Sequence, residues 1–498
     1  MLYKSTRGTE QVRSTQAVLN GLAPDGGLYM PVKFPYFGEY PPRFDYHSVM
    51  GLPFAEMAAR IFAVFLDDFE NIPELVRCAY QNKFDCEDIT PLVPVGDRFV
   101  LELFHGPTCA FKDVALSALP VLMTAAQKQE GSEDEILILT ATSGDTGKAA
   151  MEGFRDVPGV RIIVFYPDGG VSPVQERQMT TQEGNNVLAA AVRGNFDDAQ
   201  SAVKAIFTRV QEEGLPEGCH TVLSSANSIN IGRLVPQIVY YFKAYSDLLA
   251  LGRIREGGPV VFTVPTGNFG DILAGYFAMR MGLPIAKLVC ASNANNVLTD
   301  FLTTGVYDRN RPFYKTTSPS MDILISSNLE RLLYLWCRED ETAVQILMRC
   351  LAKNGVYRIP PQMANCIPEV LAAGFADDAA AAETIAGVFR EHRYLMDPHT
   401  AVAWTVADQQ AGSLPEGVPN VVLSTASPYK FPQAVLSAIG AELPEDPFAM
   451  MDVLKDISGV PVPAGLAGLK EKPVCFTDVV DKEALYDYVL AAIAAEKK

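Results

Sequence analysis

The sequence predicts an α/β protein built on mostly parallel sheet. Short runs rich in Val, Ile and Leu recur along the chain, each followed by a turn of small polar residues and then by an amphipathic helical pattern. The runs are continuous rather than alternating, which is how strands covered by helices on both faces read.

The elements follow in order. Residues 1–92 differ from the rest by pattern. Turn-rich pieces such as Gly21-Leu22-Ala23-Pro24-Asp25-Gly26-Gly27-Leu28 come first, and helix-like segments follow over residues 50–80. This stretch reads as a separate N-terminal module ahead of a larger region, 93–498. In that region Ile136-Leu137-Ile138-Leu139-Thr140 precedes Ser143-Gly144-Asp145-Thr146-Gly147, and Arg161-Ile162-Ile163-Val164-Phe165-Tyr166 precedes Pro167-Asp168-Gly169. Thr221-Val222-Leu223 precedes Ser224-Ser225-Ala226-Asn227-Ser228, and Val260-Val261-Phe262-Thr263-Val264 precedes Pro265-Thr266-Gly267-Asn268-Phe269-Gly270. Asn420-Val421-Val422-Leu423 precedes Ser424-Thr425-Ala426-Ser427-Pro428. The alanine run over residues 379–382 reads as helix, and the turn over residues 194–198 as the cap of the helix after it.

Composition removes several classes of function. The formal net charge is -18, which opposes nucleic acid or an anionic membrane surface as the main partner. A small anionic ligand stays open, because it needs only a locally positive pocket such as a helix N-terminus. The apolar runs are far too short to span a bilayer, and the first residues lack the apolar core of a secretory signal. The nine cysteines are scattered singly, with no Cys-x-x-Cys. That reads as reduced thiols of a cytoplasmic protein, with neither a disulfide framework nor a metal site. Oligomeric state is left open between monomer and homodimer.

Ligands of open α/β sheets bind beyond the carboxyl ends of the strands. Here those ends are rich in Ser, Thr, Asn and Gly. The turn over residues 266–271 lies between a strand and a helix expected to start at Ile272. Its glycines let N–H groups approach an anion, and the helix terminus favours negative charge. It matches neither the Gly-x-Gly-x-x-Gly fingerprint of a nicotinamide oxidoreductase nor a Walker sequence; Gly147-Lys148 is followed by Ala149, where a hydroxyl is needed. A phosphate cradle of another kind remains. Lys112, just after Ala110-Phe111, is a candidate buried amine suited to imine chemistry, although a lysine at a helix start also reads as surface charge.

Phe104-His105-Gly106-Pro107-Thr108 followed by Ala110-Phe111-Lys112-Asp113 resembles the cofactor-lysine segment of threonine synthases, and residues 265–274 resemble that family's phosphate loop. Thr142-Ser143-Gly144-Asp145-Thr146-Gly147, Asn227-Ser228-Ile229-Asn230, Ser318-Pro319-Ser320-Met321-Asp322-Ile323 and Thr425-Ala426-Ser427-Pro428-Tyr429-Lys430-Phe431 are further matches in the family's order. Ser5-Thr6-Arg7-Gly8 and residues 21–28 resemble its N-terminal module. Cys109 departs from an expected apolar residue, and Ser427 from a histidine.

The resemblance covers nearly the whole chain. It implies the tryptophan-synthase-β-like pyridoxal-phosphate fold (fold type II), with two α/β subdomains in residues 93–498. It implies pyridoxal 5'-phosphate bound covalently to Lys112, its phosphate held by Gly267, Asn268, Phe269 and Asp271, and its ring nitrogen facing Thr425. The implied reaction converts O-phosphohomoserine and water to threonine and phosphate. Ser143, Gly144, Asp145 and Thr146 would hold the substrate carboxylate. Asn227, Ser228 and Arg233 would hold its phosphate, with Lys148 beside them. For Arg233 a surface ion pair is the competing reading. His399 reads as a packed or capping histidine, and Asp322 as part of the site wall. A serine/threonine dehydratase or cysteine synthase is the nearest alternative, and neither needs a second phosphate site. A homologue that binds ligands without turnover is a further alternative.

Overall fold

The computed structural model describes residues 1–36, 44–194, 196–216 and 219–494. Asn195 and the side chain of Asp197, in the expected capping turn, lie outside the described residues. The strands in chain order are β1 (Leu2–Ser5), β2 (Gln11–Arg13), β3 (Tyr29–Pro31), β4 (Leu92–Val95), β5 (Arg98–Glu102), β6 (Glu135–Ala141), β7 (Val160–Pro167), β8 (Val187–Arg193), β9 (Thr221–Ser224), β10 (Val260–Pro265), β11 (Ile285–Ser292), β12 (Val306–Asp308), β13 (Val356–Arg358), β14 (Leu371–Phe375), β15 (Asn420–Ser424) and β16 (Val479–Asp481).

Two mostly parallel sheets form the larger region that follows the first 91 residues. The larger runs β14-β11-β10-β15-β5-β4, with only β4 antiparallel to its neighbour. The smaller runs β16-β8-β7-β6-β9, parallel throughout. The apolar runs read from the sequence are these strands. Every residue of β10 is buried, as expected of a strand with helices on both faces. The strand order reverses between β10 and β15 in one sheet and between β6 and β9 in the other. Turns at such reversals splay apart and leave a crevice, and both crevices receive residues named above.

The N-terminal module is distinct in pattern but not in core. Its antiparallel sheet β2-β1-β3 and helices Phe54–Phe65 and Ile72–Tyr80 share one continuous apolar cluster with the larger sheet. The helix Phe54–Phe65 packs on the helix Ile231–Ala250, which is buried over nearly its whole length and runs through the middle of the molecule. Each fully buried Leu, Ile or Phe on such a helix contributes about 1.5–3 kcal/mol. Polar ties cross the same junction: Arg7 grips Glu330 through Nε at 2.8 Å and Nη2 at 2.6 Å, and Asn230 Nδ2 donates to the Val18 carbonyl at 2.9 Å. The expected boundary at residue 92 falls at the first residue of β4, which pairs with β5 in the larger sheet.

Candidate active site

The turn after β6 is set by Thr142, whose Oγ1 accepts the N–H groups of Gly144 and Gly147, both at 2.9 Å. Gly144 sits at φ +127°, and a Cβ there would come within 2.6 Å of the Gln175 side chain, so only glycine fits. The turn places Asp145 at the start of the helix Asp145–Phe154 with its carboxylate inward and buried. Its Oδ1 takes hydrogen bonds from Lys430 Nζ at 2.7 Å and Gln175 Nε2 at 2.8 Å. Its Oδ2 takes one from Ser320 Oγ at 3.2 Å and lies 3.9 Å from Lys112 Nζ. Burial alone would raise the Asp145 pKa, but the Lys430 and Lys112 ammonium groups outweigh it and hold the carboxyl well below its ordinary range.

Lys112 opens the helix Lys112–Leu116 and is buried. Ala110 forms an antiparallel bridge with Ala426, Phe111 N–H donates to the Thr425 carbonyl at 2.9 Å, and Ser427 N–H donates to the Cys109 carbonyl at 3.0 Å. This staple of residues 109–111 against 425–427 holds the start of the Lys112 helix against Thr425. Burial, opposed by Asp145 and aided by the Arg233 and Lys430 cations, brings the Lys112 ammonium down to about 8. The surface-charge reading of Lys112 is thereby excluded. Cys109 adopts the left-handed φ of +61°, and burial pushes its thiol up to about 12, so it packs rather than reacts.

After β10 the chain turns its carbonyls outward. Gly267 O accepts Ser326 Oγ at 2.7 Å, and Asn268 O accepts both the N–H and the Nδ2 of Asn328, each at 3.1 Å. Phe269 takes the left-handed φ of +63° and leads into the helix Gly270–Arg280, which starts two residues before the expected Ile272. The N–H groups of Gly267, Asn268, Phe269, Gly270 and Asp271 meet no acceptor among the described residues. A row of free N–H groups at a helix N-terminus is a site for an anion. The Asp271 side chain turns away from the loop to accept the hydroxyls of Tyr240 at 2.5 Å and Tyr241 at 3.0 Å, and burial pushes its carboxyl up to about 6.

The second crevice carries Arg233. Asn230 caps the helix Ile231–Ala250 by accepting the Gly232 N–H at 2.9 Å. Arg233 is 2% exposed; its Nη1 donates to the Ala226 carbonyl at 2.6 Å and its buried Nε has no partner. No carboxylate pairs with it among the described residues. The surface ion-pair reading therefore fails, and burial pushes the guanidinium down to about 10. Asn227 borders a cavity of about 1090 Å³ between residues 20–28 and the helix Phe196–Glu213. Ser228 O and Oγ accept from Asn328 Nδ2 at 3.2 and 3.3 Å, the same amide that binds Asn268 O.

Two of the expected substrate contacts already have partners within the chain. Lys148 does not join Asn227, Ser228 and Arg233: its ammonium bonds to Gln182 and lies 3.4 Å from Glu152, because a desolvated ammonium takes the nearest acceptors. Within residues 143–146 the Gly144 N–H is already taken by Thr142 and the Asp145 side chain is an anion. Only Ser143, Thr146 and the Asp145 main-chain N–H are left to meet a carboxylate.

His399 accepts the Ser320 N–H on Nε2 at 3.1 Å and pairs Nδ1 with Asp397 at 2.5 Å, a packed role as expected. Asp322 receives Asn293 Nδ2 at 2.8 Å, Asn295 Nδ2 at 3.0 Å and Thr316 Oγ1 at 2.7 Å, which fixes the wall over residues 316–322. The sequence reading missed Lys430, Gln175, Asn328 and Arg331. Lys430 stood in a quoted motif with no role attached. Arg331 donates to Asn328 Oδ1 at 2.5 Å, to Ile229 O at 2.6 Å and to Tyr29 O at 3.1 Å, contacts for which no local pattern exists.

With this geometry in place, comparison decides the family. The model described as "Threonine synthase N terminus" matches residues 2–80, "Pyridoxal-phosphate dependent enzyme" matches 86–347, and "Threonine synthase, C-terminal" matches 400–489. The chain belongs to the threonine synthase family of pyridoxal-phosphate-dependent enzymes. The threonine synthase of Pseudomonas aeruginosa is 40% identical, over 91% of this chain and 94% of that protein. Human threonine synthase-like 1 is 38% identical over 85% of this chain, and the match spans only 58% of that longer protein. The structure of the pyridoxal-phosphate-bound threonine synthase from Brucella melitensis superimposes with a TM-score of 0.85 at 39% identity, covering 99% of this chain and 100% of that one. Yeast threonine synthase gives 0.85 at 33% identity, covering 99% and 98%. The tryptophan-synthase-β-like fold and the pyridoxal-phosphate cofactor are those of the family. No helix among the described residues is long and apolar enough to cross a membrane.

Proposed function

We propose that this chain converts O-phosphohomoserine and water to threonine and phosphate, with Lys112 as the working amine. The observation that carries the reading is the convergence of one buried amine with two separate cradles for anions, residues 267–271 and residues 227–233. A cofactor phosphate needs one cradle, and a phosphorylated substrate needs the second. The residues present fit pyridoxal phosphate: the amine is depressed by burial, the loop N–H groups lack acceptors, and Thr425 is stapled beside Lys112. Bound there, the cofactor supplies an aldehyde for imine formation and a ring that takes up electron density from the substrate Cα.

Gly267, Asn268, Phe269 and Asp271 hold the cofactor phosphate through main-chain N–H groups. Thr425 faces the ring nitrogen with a neutral hydroxyl, which leaves the ring a milder electron sink than a carboxylate would. The main-chain N–H groups of Asp145 and Thr146, with Ser143, orient the substrate carboxylate. The Lys112 amine would take the substrate Cα proton and return protons to the carbon skeleton. Arg233, with Asn227 and Ser228, neutralises the phosphate as it leaves the γ carbon, and water then adds at the β carbon. The guanidinium suits this role because it forms paired hydrogen bonds to phosphate. The scattered cysteines, all unpaired, support a cytoplasmic setting.

Phosphate release from O-phosphohomoserine, with threonine identified as product, tests the reading. Lys112→Ala should keep the fold by circular dichroism, lose the absorption of covalently bound cofactor and lose turnover. Wild type that deaminates threonine and ignores O-phosphohomoserine would leave only fold and cofactor standing.

A further inference from the structure

We infer that Lys430 is a positioning residue of this active site: it acts on Lys112 through Asp145, holding that carboxylate ionised in the one orientation that faces the Lys112 amine. The inference rests on the reading of Lys112 given above and adds a residue which that reading does not use.

Lys430 has no exposed side-chain surface, and Asp145 has almost none. Lys430 Nζ donates to Asp145 Oδ1 at 2.7 Å and to the Thr108 carbonyl at 2.9 Å, so its ammonium ties the turn after β6 to the loop that precedes Lys112. Gln175 Nε2 holds the same oxygen at 2.8 Å. With Oδ1 pinned by two donors, Oδ2 is left to Ser320 at 3.2 Å and to Lys112 at 3.9 Å. Lys112 stands beyond hydrogen-bond distance, so Asp145 attracts it without locking it.

The consequence follows from charge. When Lys112 gives up its proton, the Lys430 ammonium and Asp145 carboxylate remain as a matched buried pair. Without Lys430 the same step would leave a lone carboxylate in the interior, which is strongly disfavoured. Besides Asp145, the charged groups that face Lys112 are Arg233, Asp271 and, more weakly than Asp145, Lys430 itself; the groups that face Asp145 are Lys430 and Lys112. Neither Arg233 nor Asp271 touches Asp145, so neither replaces Lys430. Lys430 thus permits a neutral amine in a site that also contains a carboxylate.

The test follows the rate at which cofactor-free protein forms its imine with pyridoxal phosphate, by near-ultraviolet absorbance across pH. Lys430→Met should move the midpoint up by about one unit, about a tenfold slower reaction at neutral pH. Lys430→Arg should restore a midpoint close to wild type, since it keeps the charge. Asp145→Asn should move the midpoint down, because it removes the carboxylate that favours the Lys112 ammonium. In the double variant, Lys430→Met should add much less than it does alone, since its route through Asp145 is gone. Should Lys430→Met fail to fold by circular dichroism, the Arg and Asn variants still decide the matter. A wild-type midpoint in Asp145→Asn, or in folded Lys430→Met, overturns the inference. Imine formation that survives Lys112→Ala would instead overturn the reading of Lys112.

Discussion

Single residues show where physics overrode pattern. Lys112 and Arg233 each had a surface-charge reading from their neighbours in sequence, because exposure is not a local property. The structure buries both, and burial changes what each can do: the amine moves toward neutrality and the guanidinium is left with a buried Nε that has no partner. Lys148 is claimed within the chain, by Glu152 one turn along the same helix and by Gln182 in the turn after the helix Pro173–Thr180. Under the proposed role of Arg233, Arg233→Ala would remove a charge-assisted hydrogen bond to the substrate phosphate, a loss of roughly 1.5–3 kcal/mol. Turnover of O-phosphohomoserine should fall about ten- to a hundredfold and inhibition by inorganic phosphate should weaken, while cofactor absorbance stays at the wild-type level. Unchanged phosphate inhibition would remove Arg233 from the substrate site.

At the scale of elements, the turns were more legible than what supports them. Small polar residues after buried strands announced the cradle over residues 267–271 and the turn over 142–147, since an N–H group that meets a ligand needs glycine or a short side chain beside it. Nothing in the sequence around Asn328 announced that one amide would tie two cradles together. Its Nδ2 reaches Asn268 O, Ser228 O and Ser228 Oγ, and Arg331 fixes its Oδ1. Contacts of this kind join segments far apart in sequence and leave no periodicity. Asn328→Ala should therefore weaken both sites at once. We expect cofactor affinity and the KM for O-phosphohomoserine each to worsen by about fivefold to tenfold, on the scale of one buried hydrogen bond apiece. Titration of cofactor absorbance and steady-state kinetics give the two numbers. A change in only one would mean that the two cradles are held independently.

For the whole molecule, the sequence marked the first 92 residues as different and so implied a detachable module. The packing says otherwise. Phe277, on the helix that follows residues 267–269, meets Phe34 edge to face at 4.8 Å and stacks on Phe65 at 6.2 Å between ring centroids. Phe242 and Tyr245, on the helix that carries Arg233, meet Phe44 at 5.5 Å and Tyr46 at 6.2 Å. The Val18 and Tyr29 carbonyls hold Asn230 and Arg331 directly. The module thus supports both site helices from behind. Removing residues 1–80 would expose these rings, at about 1.5–3 kcal/mol each. Three such losses approach the whole stability of a typical domain, about 5–15 kcal/mol. It would also orphan two buried donors. Residues 81–498 expressed alone should be insoluble, or should show no cooperative thermal transition and bind no cofactor. Circular dichroism melts and cofactor absorbance measure this on any soluble fraction. A shortened chain that melts cooperatively and turns yellow with pyridoxal phosphate would establish that the catalytic region folds without the module, and that the shared core is an interface between independent units.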